Sequence, residues 1–171
     1  MTPILTTARL LLREATADDA GFFLELLNQP GWLQYIGDRN IHSETAARDY
    51  VQERLVSQYR TYGFGLWVMI LLDSRIPVGI CGLVKRDFMD DPDLGYALLD
   101  RYQGQGLVRE ASLGVLAHAF GHLGLPRLAA LTDQRNMRSQ QVLNNLGFTN
   151  QGILRQDDGG ESVYYLLEAS A

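Results

Sequence analysis

The chain has 171 residues, 46% hydrophobic and 20% charged, with 17 glycines, 5 prolines and a formal net charge of -5. That length gives one compact domain a core large enough to need neither metals nor disulfides, and nothing in the composition reads as disordered. The acidic balance and the absence of any lysine or arginine cluster exclude the electrostatic footprint of a nucleic-acid binder.

A lone cysteine, Cys81, rules out an internal disulfide framework and fits a reducing compartment, and no cysteine or histidine spacing matches a zinc site. The opening Met1-Thr2-Pro3-Ile4 lacks a basic start and a long apolar segment, while the longest apolar run, Leu66 to Leu72, is far too short to cross a bilayer. The expectation is a cytoplasmic protein with no membrane partner.

In chain order, Arg9 to Arg13 reads as a strand, and Thr16-Ala17-Asp18-Asp19 as a helix N-cap with an acid in its first turn. Phe22, Phe23, Leu26 and Leu27 recur at helical spacing until Gln29-Pro30-Gly31 breaks the pattern. Ser43 caps a second helix with the stripe Ala47, Tyr50, Val51, Leu55 and Tyr59, ending near Gly63. Leu66 to Leu72 and Val78 to Val84 are β-rich runs joined by a hairpin connection, and Leu94 to Leu99 is a third strand after the acidic stretch Asp87 to Asp93. A glycine-rich turn then opens a helix whose apolar residues are Leu113, Leu116, Ala117, Phe120 and Leu123. A strand at Leu128 to Leu131, a helix from Asn136 to Leu146 stopped by Gly147, and a closing hairpin of Phe148 to Leu154 with Ser162 to Leu167 complete the order. Without repeats or linkers, this order predicts one α/β domain, a mixed sheet with helices on its faces.

The turn Arg101-Tyr102-Gln103-Gly104-Gln105-Gly106-Leu107 carries the chemistry. Glycines let the backbone approach a ligand, and the unpaired N–H groups and positive dipole end of the following helix favour a diphosphate without a lysine. The same two glycines also suit a helix start that simply needs their geometry. A P-loop would require Gly-Lys-Ser/Thr, and a dinucleotide fingerprint a small residue where Arg109 stands; both are absent.

This turn resembles the pyrophosphate-binding motif of GNAT acetyltransferases, Gln/Arg-x-x-Gly-x-Gly/Ala, through Arg101, Gly104 and Gly106. Asp93-Leu94-Gly95-Tyr96 before it and Glu110-Ala111 after it are similar to the ribosomal-protein N-terminal (Rim-type) branch. Asn136, Ser139 and the run Val142 to Phe148 resemble the last helix of that superfamily and its Leu-Gly-Phe ending. The likeness extends to Arg9–Arg13, Gly63–Trp67 and Pro77–Gly79, so it covers nearly the whole chain.

The resemblance implies a mostly antiparallel sheet with helices on both faces, acetyl-CoA as cosubstrate, and direct attack of an amine on the thioester. It places the cofactor on Arg101, Gln103, Gly104, Gln105, Gly106, Leu107 and Val108, with Asn136 and Ser139 on the last helix and backbone N–H groups of Leu98 and Leu99 polarising the thioester carbonyl. Asn136 also suits a plain N-cap. Asp93 is the candidate base, its competing reading a solvated turn acid among Asp87, Asp90 and Asp91; those four lack the glycine and final glutamate of a calcium loop and would form an acidic rim that draws cationic amines.

In many relatives a tyrosine protonates the departing thiolate, but Leu143 stands at that spacing here, leaving Ser139 as the donor to sulfur. A thiol with a pKa of about 8.5 leaves tolerably well without an acid. Cys81, inside an apolar run, reads as a core thiol. Trp32, Tyr35 and Arg39, in a loop between the first two helices, are the candidate acceptor residues or else ordinary packing. His42, His118 and His122 have no partners at ligand spacing. The expected acceptor is a protein or peptide N-terminal amine. The alternatives are a small-molecule amine (polyamine, amino acid or aminoglycoside) and a non-catalytic acetyl-CoA sensor. An exposed edge strand or the closing hairpin is available for homodimer pairing.

Overall fold

The computed structural model describes residues 2–170. Eight strands form one sheet in the order β1-β2-β3-β4-β5-β6-β8-β7. They are β1 Pro3–Thr6, β2 Leu10–Arg13, β3 Leu66–Leu71, β4 Pro77–Val84, β5 Asp93–Leu98, β6 Arg127–Thr132, β7 Thr149–Arg155 and β8 Glu161–Glu168. Every neighbouring pair is antiparallel except β5 and β6, which run parallel and register only at Asp93 opposite Ala129. Residues 67–70 of β3 and 78–83 of β4 are buried without alternation, the signature of strands covered on both faces.

The helices are α1 Ala20–Leu26, α2 Pro30–Tyr35, α3 Glu44–Tyr50, α4 Ser57–Tyr62, α5 Leu107–Ala117 and α6 Met137–Asn145. A wider π-type segment, Val51–Val56, joins α3 to α4, and another, His118–His122, extends α5. Ser43 accepts a hydrogen bond from the Ala46 N–H at 3.1 Å to cap α3, Gly63 ends α4 at φ +77°, and of the expected stripe Ala47, Val51, Leu55 and Tyr59 are buried and Tyr50 half-buried. The Thr16 cap is present too: the Asp19 carboxylate accepts from the Thr16 N–H at 2.8 Å and holds the Arg13 guanidinium through two 2.8 Å bonds.

Two elements depart from the sequence reading. β1 was not expected; α1 ends before Gln29-Pro30-Gly31 as expected, but Pro30 also opens a further helix, because at the first helical position its missing N–H leaves no bond unmade. Trp32 and Tyr35 therefore sit on α2 and not in a loop. The inward face of α5 is partly shifted: Leu116 is buried as expected, together with Leu107, Ala111, Ser112, Val115 and Ala119, whereas Leu113 and Ala117 are exposed. Small residues on that face let α5 approach β4 and β5 closely. Gly82 serves the same economy of space, since a Cβ there would lie 2.1 Å from the Gly65 carbonyl oxygen.

The sheet ends in β1 on one side and β7 on the other. The register of β7 on β8 shifts between Asn150 and Ile153, with Gly152 at φ +99°, an irregularity that makes this edge a poor template for a further strand.

Candidate functional site

The parallel pair β5 and β6 sets the site. The Ala129 N–H donates to the Pro92 carbonyl at 2.9 Å, and beyond that point the strands no longer pair. On the other edge of β5 the Leu99 N–H donates to the Val78 carbonyl at 2.8 Å, within the antiparallel ladder. Backbone donors alternate along a strand, so the N–H groups of Tyr96 and Leu98 point toward β6 and the unpaired gap. Of the two backbone donors expected at this strand end, Leu98 faces the gap. Leu99 does not: its N–H is spent on the sheet and its side chain lies in the core.

After β5 the chain makes a short 3-10 turn, Asp100–Tyr102, and enters the glycine turn. Gly104 and Gly106 both adopt left-handed conformations, φ +80° and +76°, open to non-β-branched and β-branched residues only at a cost. Gly106 is the N-cap of α5, and no side chain caps the helix, so the N–H groups of its first turn point outward without a protein acceptor on the capping residue. Leu107 is buried beneath them and Val108 half-buried. The side chains of the turn are occupied elsewhere: Arg101 pairs with Glu25 and lies over the Tyr102 ring, and Gln103 bonds Asp100 and Arg138. The backbone groups of the turn are left facing outward.

A cleft of about 810 Å³ opens alongside β5. It gathers Trp32, Tyr35 and Arg39 from the α2 side with Asp93, Asn136 and Ser139, which the sequence places far apart. Asn136 caps α6 by accepting from the Ser139 N–H at 3.1 Å while still lining the cleft, so its two readings are compatible. Trp32 is buried and its indole Nε1 has no hydrogen-bond partner, whereas Arg39 is exposed at the rim.

Asp93 is not a solvated turn acid. It is 1% exposed, and its Oδ2 receives the Arg86 Nε at 2.5 Å. Burial pushes the Asp93 carboxyl above the usual carboxylate range, against the pull of the Arg86 charge and hydrogen bond. The expected acidic rim is likewise partly neutralised, since Asp91 accepts from Arg127 Nε at 2.8 Å.

Two residues of the cleft are not singled out by the sequence, Arg86 and Tyr96. Tyr96 Oη lies 2.8 Å from Ser139 Oγ and 3.2 Å from the Ser139 carbonyl, and burial raises its phenol above the ordinary tyrosine value. The sequence carried the signal, a tyrosine in the strand that leads to the glycine turn, but nothing local shows that it meets α6. Leu143, one turn beyond Ser139, is buried at the cleft wall.

Cys81 is fully buried 3.7 Å from Ser112 Oγ, and burial pushes its thiol up to about 12, as befits a core residue. His118 packs edge-on to Trp67 and stacks on His122. Among the described residues no cluster of three or more His, Cys, Asp or Glu side chains could hold a metal, and no helix is long and apolar enough to cross a membrane.

Comparison with known proteins agrees with this geometry. The family model described as "Acetyltransferase (GNAT) domain" matches residues 9–149. The N-acetyltransferase YoaA of Bacillus subtilis is 27% identical over 157 residues, 91% of this chain and 88% of its own. The N-acetyltransferase p20 of Bacillus licheniformis is 27% identical over 88% of this chain and 85% of its own. Among solved structures, an acetyltransferase from Agrobacterium tumefaciens superposes with a TM-score of 0.83 at 21% identity, covering 99% of this chain and 95% of that one. RimL, a ribosomal L7/L12 alpha-N-protein acetyltransferase solved in complex with coenzyme A, superposes at 0.81 with 21% identity and 98% coverage of both chains.

Proposed function

The chain belongs to the GNAT acetyltransferase family, and from that premise we propose that its acceptor is the α-amine of a protein or peptide and that Asp93, Tyr96 and Ser139 handle the protons. The acetyl-CoA-dependent N-acetyltransferase activity itself comes with the family. The observation that carries the proposal is the single cleft joining the β5–β6 gap, the Tyr96–Ser139 pair and Asp93.

The residues present fit acetyl-CoA. The uncapped first turn of α5, opened by Gly104 and Gly106, offers backbone donors and a positive dipole end to the diphosphate. The gap between β5 and β6 offers the Tyr96 and Leu98 N–H groups to a carbonyl oxygen on which negative charge develops. When bound, the cosubstrate supplies the activated acetyl thioester.

Asp93 takes a proton from the incoming ammonium, directly or through water, and its raised pKa brings it nearer the range useful for a base. Arg86 holds that carboxylate in place and favours its charged form against burial. Tyr96 Oη, bonded to Ser139 Oγ, holds a proton on the opposite side of the exchange and presents it to the leaving sulfur. An α-ammonium, with a pKa near 8, yields its proton more cheaply than a lysine near 10.4, which favours an N-terminal acceptor for a base of modest strength. The resemblance in shape to RimL, named for acetylation of a protein α-amine, supports the same acceptor class.

The test is thiol release from acetyl-CoA against N-terminal peptides, polyamines, amino acids and aminoglycosides, with calorimetry of acetyl-CoA alone in parallel. Turnover on peptides above the other classes is the expected result. Turnover confined to a small amine would replace the acceptor, and tight binding without turnover on any amine would leave a sensor.

A further inference from the structure

The glycine turn was expected to hold a diphosphate by its backbone alone, yet a cation from the far end of the chain is fastened to it. Arg9, at the entry to β2, donates its Nε to Glu110 Oε2 at 2.7 Å and its Nη1 to the Gln105 carbonyl at 2.9 Å. Its backbone N–H donates to Glu110 Oε1 at 2.8 Å, and the Thr7 hydroxyl donates to the same oxygen at 2.6 Å. Four hydrogen bonds thus tie the β1–β2 turn to the first turn of α5 and to the peptide just before it.

Two physical consequences follow. In a trans peptide the carbonyl and the next N–H point in opposite directions, so drawing the Gln105 carbonyl toward Arg9 turns the Gly106 N–H the other way. Gly106, at φ +76°, has freedom that its own backbone does not remove, and Arg9 removes it. The second consequence is electrostatic. Glu110 sits in the first turn of α5, where a carboxylate is favoured by the helix dipole but repels an anionic ligand bound at the same end. Although burial pushes its pKa up, hydrogen bonds from Thr7 and from the Arg9 backbone and side chain hold it below the ordinary glutamate value, so it stays charged. Arg9 cancels that charge in place.

We propose that Arg9 is a positioning residue for the diphosphate of coenzyme A: it fixes the Gln105–Gly106 peptide so that the Gly106 N–H faces away from the β1–β2 turn, and it neutralises Glu110 at the mouth of α5. The proposal rests on the reading of the turn as the diphosphate site. A purely structural brace would stabilise the fold without distinguishing ligands that carry phosphates from those that do not.

The experiment measures Kd for coenzyme A by calorimetry, and for pantetheine, which lacks the diphosphate, by saturation-transfer NMR. Arg9→Ala is expected to weaken coenzyme A about tenfold, the size of one lost charged hydrogen bond and one uncompensated carboxylate, with pantetheine unchanged. Glu110→Gln in the Arg9→Ala background should restore about threefold of that loss. Arg9→Lys keeps the charge but cannot hold both Glu110 and Gln105 with a planar fork, and should lose about threefold; it serves if Arg9→Ala does not fold. Equal weakening of both ligands, or wild-type affinity for coenzyme A in Arg9→Ala and Arg9→Lys, would overturn the role of Arg9 alone. Failure of the wild-type protein to bind coenzyme A while still binding pantetheine would overturn the diphosphate site and Arg9 with it.

Discussion

Arg86→Met isolates the proposed base. Asp93 is 1% exposed and faces Arg86 at 2.5 Å, while the Arg86 side chain is 39% exposed. Breaking a fully buried ion pair costs about 3–5 kcal/mol, and solvent screening of the exposed guanidinium reduces this to about 2 kcal/mol. Without the neighbouring positive charge that pulls it down, the Asp93 carboxyl should rise further in the variant. Burial already holds the native pKa above its unfolded value, so the native state keeps a proton that the unfolded chain has lost, and stability falls as pH rises through that window. Removing Arg86 extends the window upward. Thermal denaturation should show the variant destabilised by about 2 kcal/mol at pH 8 and by much less at pH 5. The acid limb of kcat/KM should move to higher pH, and Asp93→Asn should abolish it. An acid limb that stays at the wild-type pH in Arg86→Met, with the predicted loss of stability present, would show that the proton is carried by another group.

Three further outcomes test the rest of the site. Tyr96→Phe removes only the hydroxyl that meets Ser139, and should lower kcat by about 10–100-fold while the KM for acetyl-CoA stays within about twofold, read from initial rates at saturating amine. Gly104→Val meets no neighbour within 4 Å of its Cβ, so its penalty is that of a side chain at φ +80°, about 1–2 kcal/mol; calorimetry should show coenzyme A bound about tenfold more weakly with the circular dichroism of the fold intact. Cys81 should be silent to a thiol-specific disulfide reagent in the native protein and react fully on unfolding, with turnover unaffected by prior treatment with iodoacetamide.

What the sequence made legible is what local pattern encodes. The β3–β4 hairpin, the β7–β8 hairpin, the cap at Ser43 and the helix closed by Gly147 each rest on residues within a few positions of one another, and the structure has them all. The glycine turn was legible for the same reason. β1 is four residues long and carries no alternation that its neighbours do not also carry, so it exists by pairing with β2 and not by its own pattern. Pro30 marks the break after α1 but does not show that a helix begins there, because one residue type both ends a helix and begins one. The phase of α5 is legible only in part, because its buried face mixes Leu107, Val115 and Leu116 with the small Ala111 and Ser112, whereas a search for periodicity weights the large residues, and Leu113 points to solvent.

The site was legible in its backbone and hidden in its side-chain partnerships. Asp93 could be chosen from its place at the head of a strand, but whether it is a solvated acid or a buried one depends on Arg86, which reaches it only once β4 and β5 are paired. The proposed donor to sulfur shows the same limit more sharply. On α6, Ser139 and Leu143 are one turn apart and share a helix face, so leucine at the second position looks like the loss of an acid. Tyr96 approaches that face from β5, across the gap that the parallel strands leave open, and puts a phenol 2.8 Å from Ser139. A proton donor is defined by where its oxygen sits relative to the reacting sulfur and not by the element that carries it. Leucine at 143 therefore leaves the last helix without a tyrosine while Tyr96 keeps a phenol in the cleft, and the proposed mechanism draws its proton donor from β5.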